Sequence, residues 1–363
     1  MLKKKKVAII GTVGLPANYG GFETMVKYLT EQKNKEFDFT VFCQKTPRNQ
    51  QLKEYNGSKL KYLPFMANGW QSIIYDIVAM TISWFKYDTL VILGTPGCII
   101  LPFLRVLKKT KTIINFGGLE WGRDKWSYLG KKYLKFTERI ALKNASIIVA
   151  DNQFFYDYIK EEYGLFSELI EYGGDHVKSL PKTRDLIEKY PFLEDKYDLS
   201  VSRAQIDNNL HVVLEAYSRI PQRNLVLISN YNLFEYGRKL KDKYKNFPNI
   251  FMQDAVYEIA ELDVIRSNAQ VYIHSHSFCG TAPSLVEAMN LGLPIISFDT
   301  ETNHYTTEGK AQYFKDEIRL TEILRQLNDE KIKMNSIAMI EIAKRRYTWG
   351  RISTLYSSVI NNK

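Results

Sequence analysis

The chain has 363 residues, long for one α/β core and suited to two domains. With 45 % hydrophobic residues it can bury two sheets, which excludes a disordered chain. Its formal net charge of +10 points to anionic partners: nucleotide phosphates, an acidic membrane surface or nucleic acid, although a biased genome would give the same Lys-rich composition.

Only three cysteines occur, Cys43, Cys98 and Cys279, far apart and without a CxxC. That argues against a disulfide framework or a zinc site and favours a reducing compartment.

From the amino end, Lys3 to Lys6 followed by Val7–Ile10 imitates the start of a signal peptide. The apolar run ends at Gly11 and no small-residue cleavage pattern follows, so a short buried strand is expected. Further strands are expected at Phe39–Phe42, Leu90–Leu93, Thr112–Asn115 and Ser146–Ala150, with helices at Phe22–Glu31, Ser72–Phe85 and Tyr128–Lys143. Such alternation signals a parallel sheet covered by helices. The apolar run Thr89 to Leu104 is too short to span a bilayer and is broken by Gly94, Pro96, Gly97 and Pro102. It predicts a strand, a turn and a short helix.

Tyr172-Gly-Gly-Asp175 and the polar stretch to Tyr197 have the chemistry of a linker, placing a boundary near Gly174. Beyond it, strands are expected at Leu225–Ser229, Ile250–Gln253, Val271–His274 and Pro294–Ser297. Helices are expected at Asn209–Arg219, Leu233–Tyr244, Tyr257–Ser267, Pro283–Leu291, Ile318–Leu327 and across Ser336–Ile360. The reading is therefore a first Rossmann-like domain over 1–173, a second over 174–345, and 346–363 as a helix packing back on the first domain. Ligands of such sheets bind at the carboxyl ends of the strands, so the loops after strands carry the functional expectations.

The most informative stretch is His274-Ser-His-Ser-Phe-Cys-Gly-Thr-Ala-Pro-Ser-Leu-Val-Glu-Ala-Met289. A strand ends near His274, a loop of small residues follows, and Pro283 suits the first position of a helix. Free amides and the positive helix end would suit a diphosphate. Glu287 lies about 6 Å further along at 1.5 Å per residue, where a carboxylate can accept from both hydroxyls of a ribose. An ordinary loop with a surface glutamate is the competing reading. In Leu199-Ser-Val-Ser-Arg203-Ala-Gln-Ile-Asp-Asn208, Arg203 follows a strand end and can bond phosphate oxygens, or simply be a solvated arginine.

Together these segments resemble retaining GT-B enzymes of glycosyltransferase family 4, whose fold is α/β with two Rossmann-like domains facing each other across a cleft. The resemblance implies that Arg203 and Glu287 match that family's diphosphate-binding Arg and second Glu. Asn208 stands where the family has Lys, and Cys279 where it has the first Glu.

After the first strand comes Gly11-Thr-Val-Gly-Leu-Pro-Ala-Asn-Tyr19-Gly20-Gly21-Phe-Glu23-Thr24, which is not GxGxxG. By itself this loop fits a turn or a ligand loop equally well. As a whole it is similar to a narrower group, bacterial rhamnosyltransferases of capsule and cell-wall polysaccharide assembly of the β1,4 type. That group also has a counterpart of Gly118-Leu-Glu120-Trp121-Gly-Arg123-Asp-Lys125-Trp126, and of the donor loop His276–Met289. It carries an acidic residue where this chain has Gly117.

The resemblance implies transfer of L-rhamnose from dTDP-L-rhamnose to glucose or N-acetylglucosamine on a polyprenyl diphosphate, with retention. It gives Glu120 and Arg203 as catalytic candidates, and Arg203, Asn208, His276, Gly280, Thr281, Ser284 and Glu287 as donor-binding residues. Tyr19, Gly20, Gly21, Glu23, Trp121 and Arg123 are acceptor or loop residues. No cofactor is expected beyond the nucleotide sugar. The absence of DxD argues against a metal-bridged diphosphate. His274, His276 and Cys279, without a fourth ligand, are expected to pack or contact sugar rather than hold a metal.

A lipid-linked acceptor places the expected enzyme in the cytoplasm, peripheral at the inner face of the plasma membrane. The apolar set in Trp70–Phe85, with Lys108, Lys109, Lys111, Lys131 and Lys132, fits either core burial or contact with anionic headgroups.

Four other readings remain. A nicotinamide-dependent epimerase or reductase has only the Tyr128/Lys132 pair in its favour. A non-catalytic nucleotide-sugar or glycan-binding module, or a transferase for a UDP- or GDP-linked sugar, would share most of these motifs. Nucleic-acid binding has only the net charge behind it, so no nucleic-acid partner is expected.

Overall fold

The computed structural model describes residues 4–16, 20–123 and 126–362. The chain forms two units, one of residues 1–171 together with 349–363, the other of residues 172–348.

The first unit is built on a sheet of β1 (Lys5–Ile10), β2 (Phe37–Cys43), β3 (Glu54–Tyr55), β4 (Ser58–Tyr62), β5 (Thr89–Leu93), β6 (Lys111–Phe116), β7 (Ile147–Ala150) and β8 (Glu168–Leu169). Their order is β3-β4-β2-β1-β5-β6-β7-β8, parallel except for the β3–β4 hairpin. Helices α1 (Gly21–Lys33), α2 (Gln71–Ser83), α3 (Leu101–Leu107), α4 (Tyr128–Asn144) and α5 (Gln153–Tyr163) cover it. β5 is buried along its whole length, as a central strand covered on both faces must be. The core under α2 gathers Tyr75, Ala79, Met80 and Trp84 against Ile10, Ile92 and Ile114.

The second unit follows the same plan. Its helices are α6 (Arg184–Lys189), α7 (Leu210–Ser218), α8 (Glu235–Tyr244), α9 (Ile259–Ser267), α10 (Pro283–Asn290), α11 (Glu301–Thr307), α12 (Glu317–Gln326) and α13 (Asp329–Arg346). Its strands are β9 (Tyr197–Val201), β10 (Asn224–Ser229), β11 (Ile250–Asp254), β12 (Tyr272–His274), β13 (Ile295–Phe298) and β14 (Gln312–Phe314), all parallel in the order β11-β10-β9-β12-β13-β14. The sheet order reverses between β9 and β12, the arrangement that leaves room for a ligand beyond the strand ends.

The helix expected across Ser336–Ile360 is two helices, α13 and α14 (Trp349–Asn361). The chain breaks at Tyr347, whose buried hydroxyl donates to Thr306 O at 2.7 Å. α14 completes the first unit: Trp349 stacks on Tyr28 with centroids 4.9 Å apart, and Tyr356 Oη accepts from Asn115 Nδ2 at 2.6 Å. Lys5 Nζ donates to Ile360 O (3.3 Å) and Asn361 O (3.2 Å), and Lys111 Nζ to Val359 O (2.6 Å). Two cations thus sit at the negative end of the helix, where they stabilise it.

The apolar run at Thr89 to Leu104 folds as β5, a tight turn of helix at Pro96–Ile100 and the start of α3. Among the described residues no helix is long and apolar enough to cross a membrane.

Candidate functional site

In the first unit the Gly-rich loop leaves β1 and enters α1. Gly11 has φ +95°, and a Cβ there would meet Leu93 O at 2.3 Å, so only glycine lets the loop leave the sheet here. Gly20 (φ +110°) precedes α1, which Gly21 opens, and a Cβ on Gly20 would lie 2.1 Å from Glu23 Oε2. Glu23 is buried, and its Oε1 accepts from Thr12 Oγ1 (2.9 Å) and Val13 N (2.8 Å). One carboxylate therefore ties helix start to loop. Tyr19 lies outside the described residues.

The described side chains of Glu120, Arg123 and Trp126 also pair with one another. Glu120 Oε2 pairs with Arg123 Nε at 3.1 Å, and its Oε1 accepts from Trp126 Nε1 at 3.1 Å. Trp121 Nε1 donates to Glu138 Oε2 at 2.8 Å, and Lys135 lies over the Trp121 ring, 4.8 Å from its centroid. Glu138, 1 % exposed, also accepts from Tyr158 (2.7 Å) and Tyr163 (2.6 Å) through Oε1. At Gly117, a Cβ would lie 2.7 Å from Phe22 Cζ. An acidic side chain there would have to displace that ring, so the departure at Gly117 is coupled to the position of Phe22.

Sequence reasoning missed two acids in this unit. Asp151 follows β7 directly, where a ligand-facing residue belongs. Burial, reinforced by the Glu171 carboxylate, pushes its carboxyl up to about 7. Such a group exchanges a proton near neutral pH. Its place after an expected strand was the available signal. Asp76 on α2 is buried, with Oδ1 unpartnered, and burial raises it to about 8. No local pattern marks it.

In the second unit the loops after β9 and β12 are stitched together. His276 Nε2 and Ser202 Oγ are 2.7 Å apart, Ser277 N donates to Asp207 O at 3.0 Å, and Ser275 Oγ donates to Asn208 O at 2.5 Å. Asn208 is buried and its Nδ2 donates to Arg203 O at 2.8 Å. The amide thus shapes the turn that presents Arg203. Arg203 itself is exposed, two residues past β9.

The joined loops lead through buried Gly280 and Thr281 into α10. Pro283 occupies its first turn, as expected, and no side chain caps its amino end. Ser284, in that turn, hydrogen-bonds the buried Tyr272 hydroxyl. An exposed guanidinium and an uncapped helix start on two stitched loops suit a doubly negative ligand.

Glu287 is more deeply engaged than a surface glutamate. It is 7 % exposed; Oε2 accepts from Arg266 Nη2 at 2.5 Å, and Oε1 lies 3.3 Å from His176 Nε2. Burial pushes the carboxyl up, but the Arg266 guanidinium and His176 outweigh it and hold it at about 2. Arg266 and His176, 21 and 111 positions away in the chain, were invisible to local pattern. Each carboxylate oxygen keeps a second lone pair, so the pair leaves acceptor capacity for a ligand hydroxyl.

Two units, each a largely parallel sheet between helices, define the GT-B fold of glycosyltransferases. Residues 182–334 match the family described as glycosyl transferases group 1. Residues 4–175 match a domain of unknown function, DUF1972. Solved structures similar to the chain include a sucrose-phosphate synthase from Thermosynechococcus elongatus (16 % identity, TM-score 0.82, 98 % of each chain covered). Another is HepE from Anabaena in complex with UDP and glucose (13 % identity, TM-score 0.77, covering 98 % of this chain and 99 % of that one). WaaG, a glycosyltransferase involved in lipopolysaccharide biosynthesis, is similar at 13 % identity and TM-score 0.73, covering 98 % of this chain and all 100 % of the other. No curated protein sequence matches the chain.

Proposed function

We propose that the chain transfers L-rhamnose from dTDP-L-rhamnose to glucose or N-acetylglucosamine on a polyprenyl diphosphate, with retention and without a catalytic metal. The observation that carries the transferase reading is the pair of stitched loops after β9 and β12, which presents exposed Arg203 together with the uncapped start of α10. The likeness to a solved complex holding UDP and glucose supports a nucleotide sugar as donor. The rhamnose reading rests on the Gly11–Thr24, Gly118–Trp126 and His276–Met289 motifs.

In this mechanism Arg203 and the loop amides take up the charge that develops on the leaving diphosphate. The acceptor hydroxyl attacks from the face the leaving group departs, and the leaving phosphate oxygen takes its proton. No enzyme nucleophile is needed. The captured intermediate of a double displacement, seen by mass spectrometry as a glycosylated protein, would overturn this step.

The lipid-linked acceptor calls for a membrane surface. α2 turns Tyr75, Ala79 and Met80 into the core, so the Trp70–Phe85 segment is mainly a core helix. A stronger candidate is α3, where Phe103 is 63 % and Val106 85 % exposed, followed by exposed Lys108 and Lys109. Next to it α4 begins with exposed Tyr128, Leu129 and Lys132. Apolar side chains ringed by lysines suit an anionic bilayer surface. Flotation with anionic liposomes, reversed by salt, is expected, and no flotation removes the membrane part alone.

The decisive assay is incubation with a panel of dTDP-, UDP- and GDP-sugars and lipid-linked glucose or N-acetylglucosamine. Rhamnosylated lipid only with dTDP-L-rhamnose is expected. Product from another donor replaces the sugar assignment, and tight donor binding without turnover makes the chain a binding module.

A further inference from the structure

The sequence expectation for His274, His276 and Cys279 was packing or sugar contact. The fold brings them into one cluster: one donor atom from each lies within 4.8 Å of the others. His274 closes β12 and is 1 % exposed; its Nε2 lies 3.9 Å from Cys279 Sγ, and its Nδ1 is buried without a hydrogen-bond partner. The His276 ring centroid is 4.4 Å from that of His274, and Ser202 Oγ sits 2.7 Å from His276 Nε2.

We propose that His274, His276 and Cys279 bind one divalent cation of the Zn2+ class, its fourth position taken by water, as an ion that holds the loop and takes no part in the transfer. Two imidazoles and a thiolate are borderline-soft donors, which select Zn2+ over Mg2+ or Ca2+. Three protein ligands with an open fourth position are a standard tetrahedral arrangement, with bonds of ~2.0–2.3 Å and donor spacings of roughly 3.3–3.7 Å. The observed spacings are longer than these, so binding requires the half-buried His276 and Cys279 side chains to turn towards His274. A hydrogen bond at one ring nitrogen of His276 is how ligating imidazoles are oriented, the other nitrogen going to the metal.

The step that forms the site replaces the Cys279 S–H bond by a sulfur–metal bond and releases that proton to buffer. Neither the site nor its test depends on which sugar, if any, the chain transfers.

Full-length chain, stripped with chelator, is titrated with Zn2+ by calorimetry in two buffers, with Co2+ as optical probe and Mg2+ as hard-cation control. One Zn2+ per chain, proton release, a thiolate-to-Co2+ charge-transfer band and no Mg2+ binding are expected. Cys279→Ser and His276→Ala each lower Zn2+ affinity by at least ~100-fold, with the far-ultraviolet circular dichroism unchanged. Cys43 and Cys98 are buried, so alkylation of the native chain reports Cys279, and Zn2+ shields it. The shielding readout needs no variant. Absence of saturable Zn2+ binding, saturation that leaves Cys279 alkylatable, or equal affinity in both folded variants overturns the site.

Discussion

The loops of the two units use their polar side chains differently. In the first unit Glu23 is spent on Thr12 and Val13, Glu120 on Arg123 and Trp126, and Trp121 on Glu138. In the second, Asn208 and Ser275 shape the turn and leave Arg203 reaching into solvent. A long motif can therefore be mostly self-supporting scaffold, while a short one exposes the groups a ligand can use.

The largest effect expected from breaking this contrast is on the fold of the second unit. Glu287→Ala leaves buried Arg266 without its anion, and a loss of about 3–5 kcal/mol in urea unfolding is expected. The same pair gives a pH signature. A carboxyl held at about 2 instead of 4.5 stabilises the fold fully above about pH 4.5 and loses that contribution as pH falls towards 2. Glu287→Gln should flatten the acid limb of stability over that window. A variant as stable as the parent at neutral pH would show that the Arg266 pair contributes nothing.

Arg203→Ala comes next, and it sharpens the comparison because it separates binding from folding. Losing a charge-assisted bond of about 1.5–3 kcal/mol weakens nucleotide binding roughly 10- to 100-fold while the unfolding midpoint stays put. Unchanged nucleotide affinity in calorimetry removes Arg203 from the site. Because Glu287 is structural as well, its alanine variant cannot serve as the clean binding test.

In the first unit, Glu23→Gln should cost about 1–3 kcal/mol, since one amide oxygen replaces a carboxylate that holds both Thr12 and Val13. Chemical denaturation followed on the first unit measures it, and a shift in the second unit instead would contradict the assignment. The effect at Asp76 is one of pH dependence. Its folded form keeps a proton up to about pH 8, whereas the unfolded carboxyl ionises near 3.8, so stability falls as pH rises between those values. Asp76→Asn removes that slope, and a thermal midpoint at pH 8 that drops rather than rises would show that the acid makes a contact worth keeping.

How much of this was legible beforehand depends on sequence distance. The strand–loop–helix layout around Pro283 and the place of Arg203 after a strand follow from local pattern, and β12 and α10 formed where that pattern put them. The short strands β3, β4, β8 and β14 carry too little periodicity to stand out, whereas helix α5, capped by Asn152 and ended by left-handed Gly164, was legible and was missed. The break between α13 and α14 depends on the contact of Tyr347 with Thr306, 41 positions away. The partners of Glu287 and the convergence of three aromatic hydroxyl or indole donors on Glu138 were likewise beyond reach. Each is a long-range pairing that no window of neighbouring residues encodes.

Because α14 belongs with the first unit, the chain leaves that unit after residue 171 and returns at 349. During synthesis on the ribosome the amino-terminal sheet therefore emerges first but is finished last. Lys5, Tyr28, Lys111 and Asn115 wait for partners made after the entire second unit. A nascent chain stalled just short of Trp349 would carry one finished unit and one still open.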